Sequence, residues 1–290
     1  MTLQDRDWIL PYITAANTNN ADFSFLNLYA WGDVYQACAS IVGDCLVIST
    51  ETNGLQMFSW PLGTCGSSEK LGCVIEVILE ESQYRSFRLT SIPPEGVKML
   101  EAIYPGKFTF TALSDLFDYV YSAQKLSDLS GKKLHAKRNH INRFISEYNW
   151  SYESVTSDNI DDCAEILKMW NSEGNEQAEG EETAIKTAFR DFEPLELIGG
   201  LLYTEGKPVA FAIGEKLSSD TFVVHFEKAI AETTGAYSMI NREFVRHIMR
   251  VYPDTKYINR EEDMGLPNLK KAKRSYYPDF MVEKYLAVLK

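Results

Sequence analysis

Several features that would place this chain in a familiar class are missing from its 290 residues. No apolar run approaches the roughly 20 residues that a membrane-spanning helix needs. The segment Met1–Pro11 lacks the charged-then-apolar form of a signal peptide. We therefore expect a cytoplasmic protein with no membrane span. The five cysteines show no C-x-x-C spacing, which argues against a zinc knuckle or a disulfide framework and predicts reduced thiols.

Motifs for bound metal and for covalent catalysis are also missing. A Gly-rich phosphate loop of the P-loop type is absent. The adjacent acids Glu261, Glu262 and Asp263 are expected to point apart around a turn, which does not suit a metal ion. The four histidines lie near no convincing serine or cysteine nucleophile signature, and His225 is expected to face the core or a neighbouring strand. The sequence thus predicts no metal and no tightly bound cofactor.

Positive charge is scarce, and it is concentrated in two places. The chain has 29 basic and 41 acidic residues, and its net charge of −12 argues against a general nucleic-acid-binding surface. Two segments are nevertheless basic and free of acids, Lys132–Arg143 in a predicted helix Lys132–Tyr148, and Asn268–Ser275. Solvated charged faces are one interpretation. The other is a groove for a phosphate-bearing donor, lined by Lys137, Arg138, Lys271, Lys273 and Arg274.

The pattern of apolar residues predicts an α+β protein made of two halves with the same order of elements. The first half reads as a meander, a helix, a strand, a helix and a strand, at Val34–Trp60, Glu69–Gln83, Phe87–Thr90, Pro94–Ile103 and Lys107–Ala112. Asn53 and Gly54 separate two apolar runs of the meander, which is a strong hairpin signal. Asp118–Leu126 reads as a further strand. Because the order recurs later in the chain, we predict domains at 1–128 and 129–290.

The second half is organised around the stretch Leu201–Phe280. Its strands and first helix are predicted at Leu201–Tyr203, Pro208–Leu217, Thr221–Ala229, Ala236–Val251 and Lys256–Asn259, and a basic helix ends at Ser275. Polar residues cluster where two strands end, namely Glu227, Lys228, Asn259, Arg260 and Glu261. Ligands gather at the carboxyl ends of strands in open α/β sheets, so we predict the functional site here.

Long motifs in this half carry a family resemblance. They are His225–Ala229 (HFEKA), Gly235–Asn241 (GAYSMIN), Tyr257–Pro267 (YINREEDMGLP) and Lys271–Pro278 (KAKRSYYP), with further stretches at Phe23–Trp31 and Ser130–Phe144. The chain resembles a family of bacterial proteins similar to the C-terminal catalytic domain of phosphatidylglycerol lysyltransferases. The resemblance implies two tandem GNAT-like (acetyltransferase-type) domains with mixed central sheets. It also implies a relation to enzymes that move an aminoacyl group from tRNA to an amine or hydroxyl.

Glu227 and Asn259 are the predicted catalytic residues. Glu227 is suited to accept a proton or to hold a substrate ammonium, and alternation along a strand would put it on the face of His225 and opposite Lys228. An ion pair with Lys228 or Arg260 is the structural alternative. Asn259 is suited to orient a carbonyl, and Arg260 to grip a carboxylate or phosphate. Substrate contacts are predicted for Lys228, Tyr237, Asn241, Arg260 and Glu261.

An aminoacyl-tRNA is the expected donor, ahead of an acyl-CoA. Acyl-CoA enzymes of this fold carry an Arg/Gln-x-x-Gly-x-Gly/Ala loop, whereas Glu232–Tyr237 has one glycine and no basic residue. The basic groove would hold a tRNA acceptor stem or, with the other donor, CoA pyrophosphate. We expect an aminoacyl- or acyltransferase whose acceptor is an amine or hydroxyl on a small molecule, a lipid headgroup or a peptide.

Two other functions stay open. One is an acyl-CoA-dependent N-acyltransferase, and the other is a non-catalytic ligand-binding protein with a GNAT-like fold. The acidic segment Glu173–Glu182 is either a lid over the site or a solvated loop. The oligomeric state is left open by the sequence.

Overall fold

A computed structural model describes residues 1–52, 54–63, 67–82, 87–175 and 178–290. The chain forms two compact units. Unit 1 consists of Met1–Asp118, Glu262–Gly265 and Met281–Lys290, and unit 2 consists of Tyr119–Glu261 and Leu266–Phe280. The division into domains at 1–128 and 129–290 stays a prediction about where independently folding parts begin and end.

Helices and strands alternate along the whole chain. The helices are α1 (Arg6–Ala16), α2 (Phe25–Ala30), α3 (Ser68–Glu81), α4 (Pro94–Ile103), α5 (Ala123–Asp128), α6 (His135–Glu147), α7 (Ile160–Ser172), α8 (Glu181–Arg190), α9 (Ala236–Val251) and α10 (Pro267–Arg274). The strands are β1 (Cys38–Val42), β2 (Cys45–Thr52), β3 (Leu55–Ser59), β4 (Leu62–Gly63), β5 (Arg88–Ile92), β6 (Phe108–Ala112), β7 (Asp118–Ser122), β8 (Trp150–Ser154), β9 (Ile198–Thr204), β10 (Lys207–Lys216), β11 (Thr221–Ala229), β12 (Tyr257–Asn259), β13 (Phe280–Val282) and β14 (Tyr285–Leu289).

Unit 1 is built around a mixed sheet with the strand order β1-β2-β3-β5-β14-β6, and β4 pairs with β2. The strands β3 and β5 are parallel, whereas β14 is antiparallel to both β5 and β6. The helix α3 begins at Ser68 because the Ser67 side chain accepts a hydrogen bond from the Lys70 amide. The core of the unit buries the apolar stripe of α3, which consists of Leu71, Val74, Ile75, Ile78 and Leu79.

The predicted hairpin in unit 1 is confirmed in its strands, because Thr52 of β2 pairs with Leu55 of β3. Asn53 itself lies outside the described residues. The expectation of five reduced thiols is wrong, since Cys45 is disulfide-bonded, while Cys38, Cys73 and Cys163 are free. The meander was predicted to begin at Val34, but its first strand begins only at Cys38.

Unit 2 contains a second mixed sheet, with the order β13-β7-β12-β11-β10-β9-β8. The strands β11 and β12 are parallel, and β11 is antiparallel to β10. The helix α9 packs on one face of the sheet, where the Phe222 and Phe244 rings meet edge to face with centroids 6.0 Å apart. The helix α7 packs against β10 and β11, and its Trp170 ring lies under the Lys228 ammonium. Phe222 and Lys228 point to opposite faces because β11 has one extra residue between them, so α9 and α7 cover opposite faces of the sheet.

A β-bulge at His225 changes which side chains of β11 share a face. Across the β10 and β11 ladder, Ile213 pairs with Phe226 and Gly214 with Val224, so His225 is the extra residue. The prediction that His225 and Glu227 share a face is therefore wrong. Strict alternation assumes an unbroken ladder, and the bulge interrupts it between these two residues.

The predicted strand Asp118–Leu126 is half strand and half helix. The strand β7 ends at Ser122, whose side chain accepts a hydrogen bond from the Lys125 amide and so begins α5 at Ala123. Elsewhere in unit 2 the predicted elements are found with shifts at their ends, and α6 begins at His135 rather than at Lys132. Within the described residues, no helix combines the length and the apolar character that crossing a membrane requires.

Candidate active site

Glu227 lies near the end of β11, held from two sides. The Arg260 Nη2 atom donates to Glu227 Oε1 at 2.9 Å, and the Asn241 Nδ2 atom donates to Glu227 Oε2 at 2.9 Å. The Glu227 and Arg260 side chains are only 10% and 12% exposed, so this ion pair is largely withdrawn from water. The ion pair that the sequence offered as an alternative role of Glu227 is thus formed, with Arg260 as the partner.

The same three residues leave two buried polar atoms unsatisfied. Among the described residues, no hydrogen-bond partner reaches Arg260 Nη1 or Asn241 Oδ1. Buried polar atoms of native proteins are nearly always hydrogen-bonded, and each exception calls for an explanation, of which a catalytic or ligand-binding role is one. One atom is a cationic donor and the other is a neutral acceptor, and both flank the Glu227 carboxylate. A ligand that presents a carbonyl or anionic oxygen beside an N–H group would satisfy both atoms.

Arg260 is fixed along its whole length. Its backbone N–H donates to Tyr119 O at 3.0 Å, and the Lys273 Nζ atom donates to its carbonyl oxygen. Its guanidinium carbon lies 4.9 Å from the Tyr276 ring centroid and 5.8 Å from that of Tyr121. These contacts limit the directions in which the guanidinium and its unused Nη1 donor can point.

The sheet opens beside this cluster. The ladder between β11 and β12 covers only Thr221–Val223 and Tyr257–Asn259, and β11 runs on to Ala229. The chain leaves β12 at Asn259 and turns, which carries Arg260 toward the free length of β11. The β11 residues from Val224 to Ala229 therefore extend beyond the ladder with β12.

Lys137 on α6 is the second cation near this cluster. Its Nζ atom lies 4.0 Å from the Tyr276 ring centroid, on the ring that Arg260 also contacts. Burial and the neighbouring Arg260 charge lower the pKa of Lys137 to about 8, although the Glu227 carboxylate opposes the shift. A lysine with this pKa is partly neutral near physiological pH and can take up a proton there.

Lys137 is expected to be the lysine that reacts first with an amine-acylating reagent near pH 8. Its neutral fraction at that pH approaches one half, whereas an ordinary lysine, with a pKa of about 10.4, is almost fully protonated. Labelling rates measured by peptide mass spectrometry against pH should give a midpoint near 8 for Lys137. The exposed Lys70 serves as the reference for reagent access, and a Lys137 midpoint well above 8 would contradict the assignment.

Asn259 and Glu261 have structural partners of their own. Asn259 is fully buried, and its Oδ1 atom accepts the Glu261 amide at 2.6 Å. Asn259 pairs with Val223, which is four residues before Glu227 on β11. The register therefore does not bring the two predicted catalytic residues side by side. Glu261 Oε1 instead contacts His225 Nδ1 at 2.7 Å.

A separate cluster lies at the C-terminal end of β11, on the α7 face. The Lys228 Nζ atom is 3.7 Å from the Trp170 ring centroid and 2.7 Å from Glu181 Oε1. The Trp170 indole N–H donates to the Tyr237 hydroxyl at 2.8 Å. Burial lowers the pKa of Lys228, and the Glu181 charge opposes that shift. Lys228 and Tyr237, both predicted substrate contacts, are thus tied to Trp170.

The acidic segment Glu173–Glu182 contacts the end of β11 and the residues just after it, through one residue near each end of the segment. Glu173 Oε1 accepts the Ala231 amide at 3.0 Å, and Glu181 pairs with Lys228. Gln177 and Glu176 lie outside the described residues. These contacts hold the segment against the end of β11, which distinguishes it from a fully solvated loop. The role of the segment as a lid stays a prediction.

The predicted donor-binding residues divide into two groups. Lys137 and Lys273 both reach the surroundings of Arg260, the first over the Tyr276 ring and the second at the Arg260 carbonyl. Arg138 instead donates to the backbone carbonyl oxygens of Leu129 and Gly131. Lys271 and Arg274 are exposed on α10. A single groove lined by all five residues stays a prediction.

Unit 1 contains an acidic cluster that the sequence did not predict. One carboxylate oxygen from each of Asp22, Asp118 and Glu262 lies within 4.8 Å of the others, a spacing that suits a metal ion. The Lys284 ammonium sits among them, paired with Asp22 and 2.7 Å from Asp118 Oδ1. Burial raises the pKa of Asp118 against the opposing Lys284 charge. A cation is thus already supplied by the chain, which gives this cluster a structural explanation.

Comparison with known proteins places these observations in context. The family described as phosphatidylglycerol lysyltransferase, C-terminal, matches residues 14–288. A conserved protein of unknown function from Bacteroides thetaiotaomicron is 38% identical with a TM-score of 0.91, over 100% of this chain and 98% of that one. Among curated proteins, one from Mycoplasmoides gallisepticum is 26% identical over 179 residues, 58% of this chain and 55% of that protein. The match spans about half the length of that relative.

Two more distant structures show the fold. The C-terminal domain of a protein named a lysylphosphatidylglycerol synthetase, from Agrobacterium fabrum, is 13% identical with a TM-score of 0.70, over 99% of this chain and 91% of that one. A tandem GNAT protein from the clavulanic acid biosynthesis pathway is 8% identical with a TM-score of 0.52, over 99% and 96%. The predicted fold class, α+β with tandem GNAT-like domains and mixed sheets, is confirmed.

Proposed function

The chain belongs to the family of phosphatidylglycerol lysyltransferase C-terminal domains, and from that premise we propose that it transfers an aminoacyl group from tRNA to an amine or hydroxyl acceptor. The family and the fold are those of acyltransferases. The observation that carries the finer proposal is the pair of unsatisfied atoms beside Glu227, a donor on Arg260 and an acceptor on Asn241. An aminoacyl ester presents a carbonyl oxygen and an α-ammonium nitrogen three bonds apart, which is the complementary arrangement.

In the proposed reaction the acceptor attacks the ester carbonyl carbon. Arg260 Nη1 donates to the carbonyl oxygen, whose negative charge grows as the tetrahedral intermediate forms. Asn241 Oδ1 accepts from the α-ammonium, and the nearby Glu227 carboxylate favours that positive charge. The bond from the acceptor to the carbonyl carbon forms, the ester C–O bond breaks, and the acceptor proton ends on the released ribose hydroxyl. Lys137 is the group suited to carry that proton, because its pKa is about 8.

The Glu227→Gln variant is expected to lose transfer but to keep the fold. A glutamine amide would place its N–H₂ opposite Asn241 Nδ2, so the Asn241 amide must turn over to pair with it. That turn replaces the unsatisfied acceptor by a donor, which repels an ammonium. We expect transfer to fall about 10²–10³-fold. The free energy of unfolding should fall by about 1–3 kcal/mol, because the Gln oxygen still accepts from Arg260 although the opposite charge is lost.

The measurement is the release of label from a mixed pool of aminoacyl-tRNAs, with a soluble amine or lipid vesicles containing phosphatidylglycerol as acceptor. The matched control is Glu165→Gln on the exposed side of α7, for which wild-type transfer is expected. A Glu227→Gln protein that loses several kcal/mol of stability with unchanged transfer would reject the proposal. Stabilisation of the wild type by CoA thioesters and not by aminoacyl-tRNA would favour the acyl-CoA alternative. Stabilisation without turnover would favour a ligand-binding protein. The cytoplasmic location required by a tRNA donor stays a prediction.

A further inference from the structure

His225, the extra residue of the β-bulge, is bonded through both ring nitrogens. Its Nδ1 atom contacts Glu261 Oε1 at 2.7 Å, and its Nε2 atom contacts Glu215 Oε1 at 3.2 Å. The ring is completely buried. Carboxylates accept hydrogen bonds, so both contacts are made well only when both nitrogens carry protons. Burial alone would lower the pKa of His225, but the two carboxylates raise it to about 9, which keeps the imidazolium charged at neutral pH.

Glu261 directly follows Arg260 and adopts an unusual backbone conformation. Its φ of +56° is in the left-handed region, which a residue with a Cβ atom enters only when its surroundings hold it there. Three contacts do so: Asn259 Oδ1 accepts the Glu261 amide at 2.6 Å, the Tyr119 amide donates to the Glu261 carbonyl at 3.1 Å, and His225 holds the side chain. The position of this turn sets where the Arg260 side chain starts.

We propose that His225 is a positioning residue that, by holding Glu261, aims the Arg260 guanidinium so that its Nη1 donor faces the bound acyl group. The inference rests on the proposed function only for the identity of that group. The bulge explains why His225 can do this while Glu227 faces α9. It turns His225 to the side of Glu215 and Glu261, and the next residues resume alternation with Glu227 against Asn241. One strand thereby supports Arg260 from both faces of the sheet.

The arrangement also explains a buried charge that the proposed reaction does not use directly. A positively charged histidine between two carboxylates is paired, so its burial is tolerated. A neutral side chain would remove the positive charge that lies 2.7 Å from Glu261 Oε1 and would weaken the hold of Glu261 on the turn. The groups facing the ring are Glu215 from β10 and Glu261 from the turn, and the adjacent ring of Phe226 lies at a centroid distance of 6.1 Å.

The test is NMR of protein isotopically labelled at the arginine guanidinium groups, with Arg260 assigned from the Arg260→Lys variant. A fixed guanidinium gives separate Nη1 and Nη2 signals because rotation about its Cζ–Nε bond is slow. We expect separate signals in the wild type and in Glu215→Gln, which keeps the His225 contact with Glu261. Averaged signals are expected in His225→Gln, whose side chain cannot span both carboxylates as a cation. In the wild type, the signals should begin to average as the pH rises through about 9.

A second variant keeps the proposal testable if His225→Gln does not fold. Glu261→Gln removes the charge that His225 holds while keeping the size of the side chain, and it is expected to average the Arg260 signals in the same way. Thermal unfolding establishes that each variant is folded under the conditions of the spectrum. Separate Arg260 signals in folded His225→Gln or folded Glu261→Gln overturn the proposal. The readout needs no substrate, so a wild-type protein without transfer activity would refute the proposed function and leave this inference to be decided by the spectra.

Discussion

Replacing Lys284 by Met is expected to lower the free energy of unfolding of the protein by about 3–5 kcal/mol, because it removes the cation that faces the buried Asp118 carboxylate. Lys284 is 1% exposed and Asp118 is fully buried, and their charged atoms are 2.7 Å apart. The carboxylates of Asp22 and Glu262 also face the Lys284 ammonium. Burial alone would lower the pKa of Lys284, but these carboxylates raise it, so the ammonium is charged throughout the physiological range.

The effect of Lys284→Met should depend on pH in a defined direction. A raised lysine pKa contributes stability that is complete below the unfolded pKa of about 10.4 and is lost only as the pH rises through the still higher folded value. The wild type therefore has the whole contribution at pH 7. In the variant, Asp118 has its raised pKa without an opposing cation, so protonation relieves the repulsion as the pH falls. The difference in stability should shrink between pH 7 and pH 4.

Chemical denaturation of both proteins across that pH range is the measurement. The added substitution Asp118→Asn should restore part of the stability of Lys284→Met at pH 7, since it removes the most buried carboxylate while an amide can still accept from the Ala21 amide. Lys70→Met is the matched control, because Lys70 and Asp44 form an exposed pair and such pairs contribute about 1 kcal/mol or less. Equal losses for Lys284→Met and Lys70→Met would contradict the assignment.

Sequence patterns predicted the elements whose apolar residues repeat regularly. The stripe of α3 and the helix α9 were predicted within a few residues of their ends, because a helix buried on one face repeats every three to four residues. The strand β14 was not predicted, although it lies between β5 and β6 in the sheet of unit 1. Its partners β5 and β6 are distant in sequence. Nothing local in Tyr285–Leu289 indicates that this C-terminal segment joins a sheet formed by N-terminal strands.

Several residues of the candidate site were singled out from the sequence, but most of the contacts among them were not. Glu227 and Arg260 were identified because charged residues stand out at the ends of apolar strands. The role of Tyr276 was missed, although the Ser-Tyr-Tyr-Pro motif contained the signal, since aromatic residues are usually packing. The contact of His225 with Glu261 depends on a bulge, and neither residue type nor spacing in a single strand reveals a bulge. The Asp22, Asp118 and Lys284 cluster joins residues from three distant parts of the chain, so only the fold brings it together.

Arg260 offers the second large effect, in which charge and geometry can be separated. The Arg260→Met variant leaves the Glu227 carboxylate buried without a cation and is expected to lose about 3–5 kcal/mol of unfolding free energy. Glu227→Gln should restore part of that loss, because the remaining side chain is neutral. The coupling between the two substitutions, from denaturant unfolding of the single and double variants, should lie between about 1 and 3 kcal/mol. The exposed pair Arg143 and Glu147 provides a matched cycle with a coupling of at most about 0.5 kcal/mol.

Arg260→Lys should retain stability and still lose transfer. A lysine ammonium keeps the positive charge beside Glu227, so most of the unfolding free energy lost in Arg260→Met should be recovered. It has no second nitrogen in a fixed plane, however, and cannot bond Glu227 while presenting a donor in the Nη1 position. We expect transfer about 10²–10³-fold below that of the wild type. If Arg260→Lys transfers at the wild-type rate, the unsatisfied Nη1 atom has no part in stabilising the acyl oxygen, and the Arg260 and Glu227 pair is a buried structural contact alone.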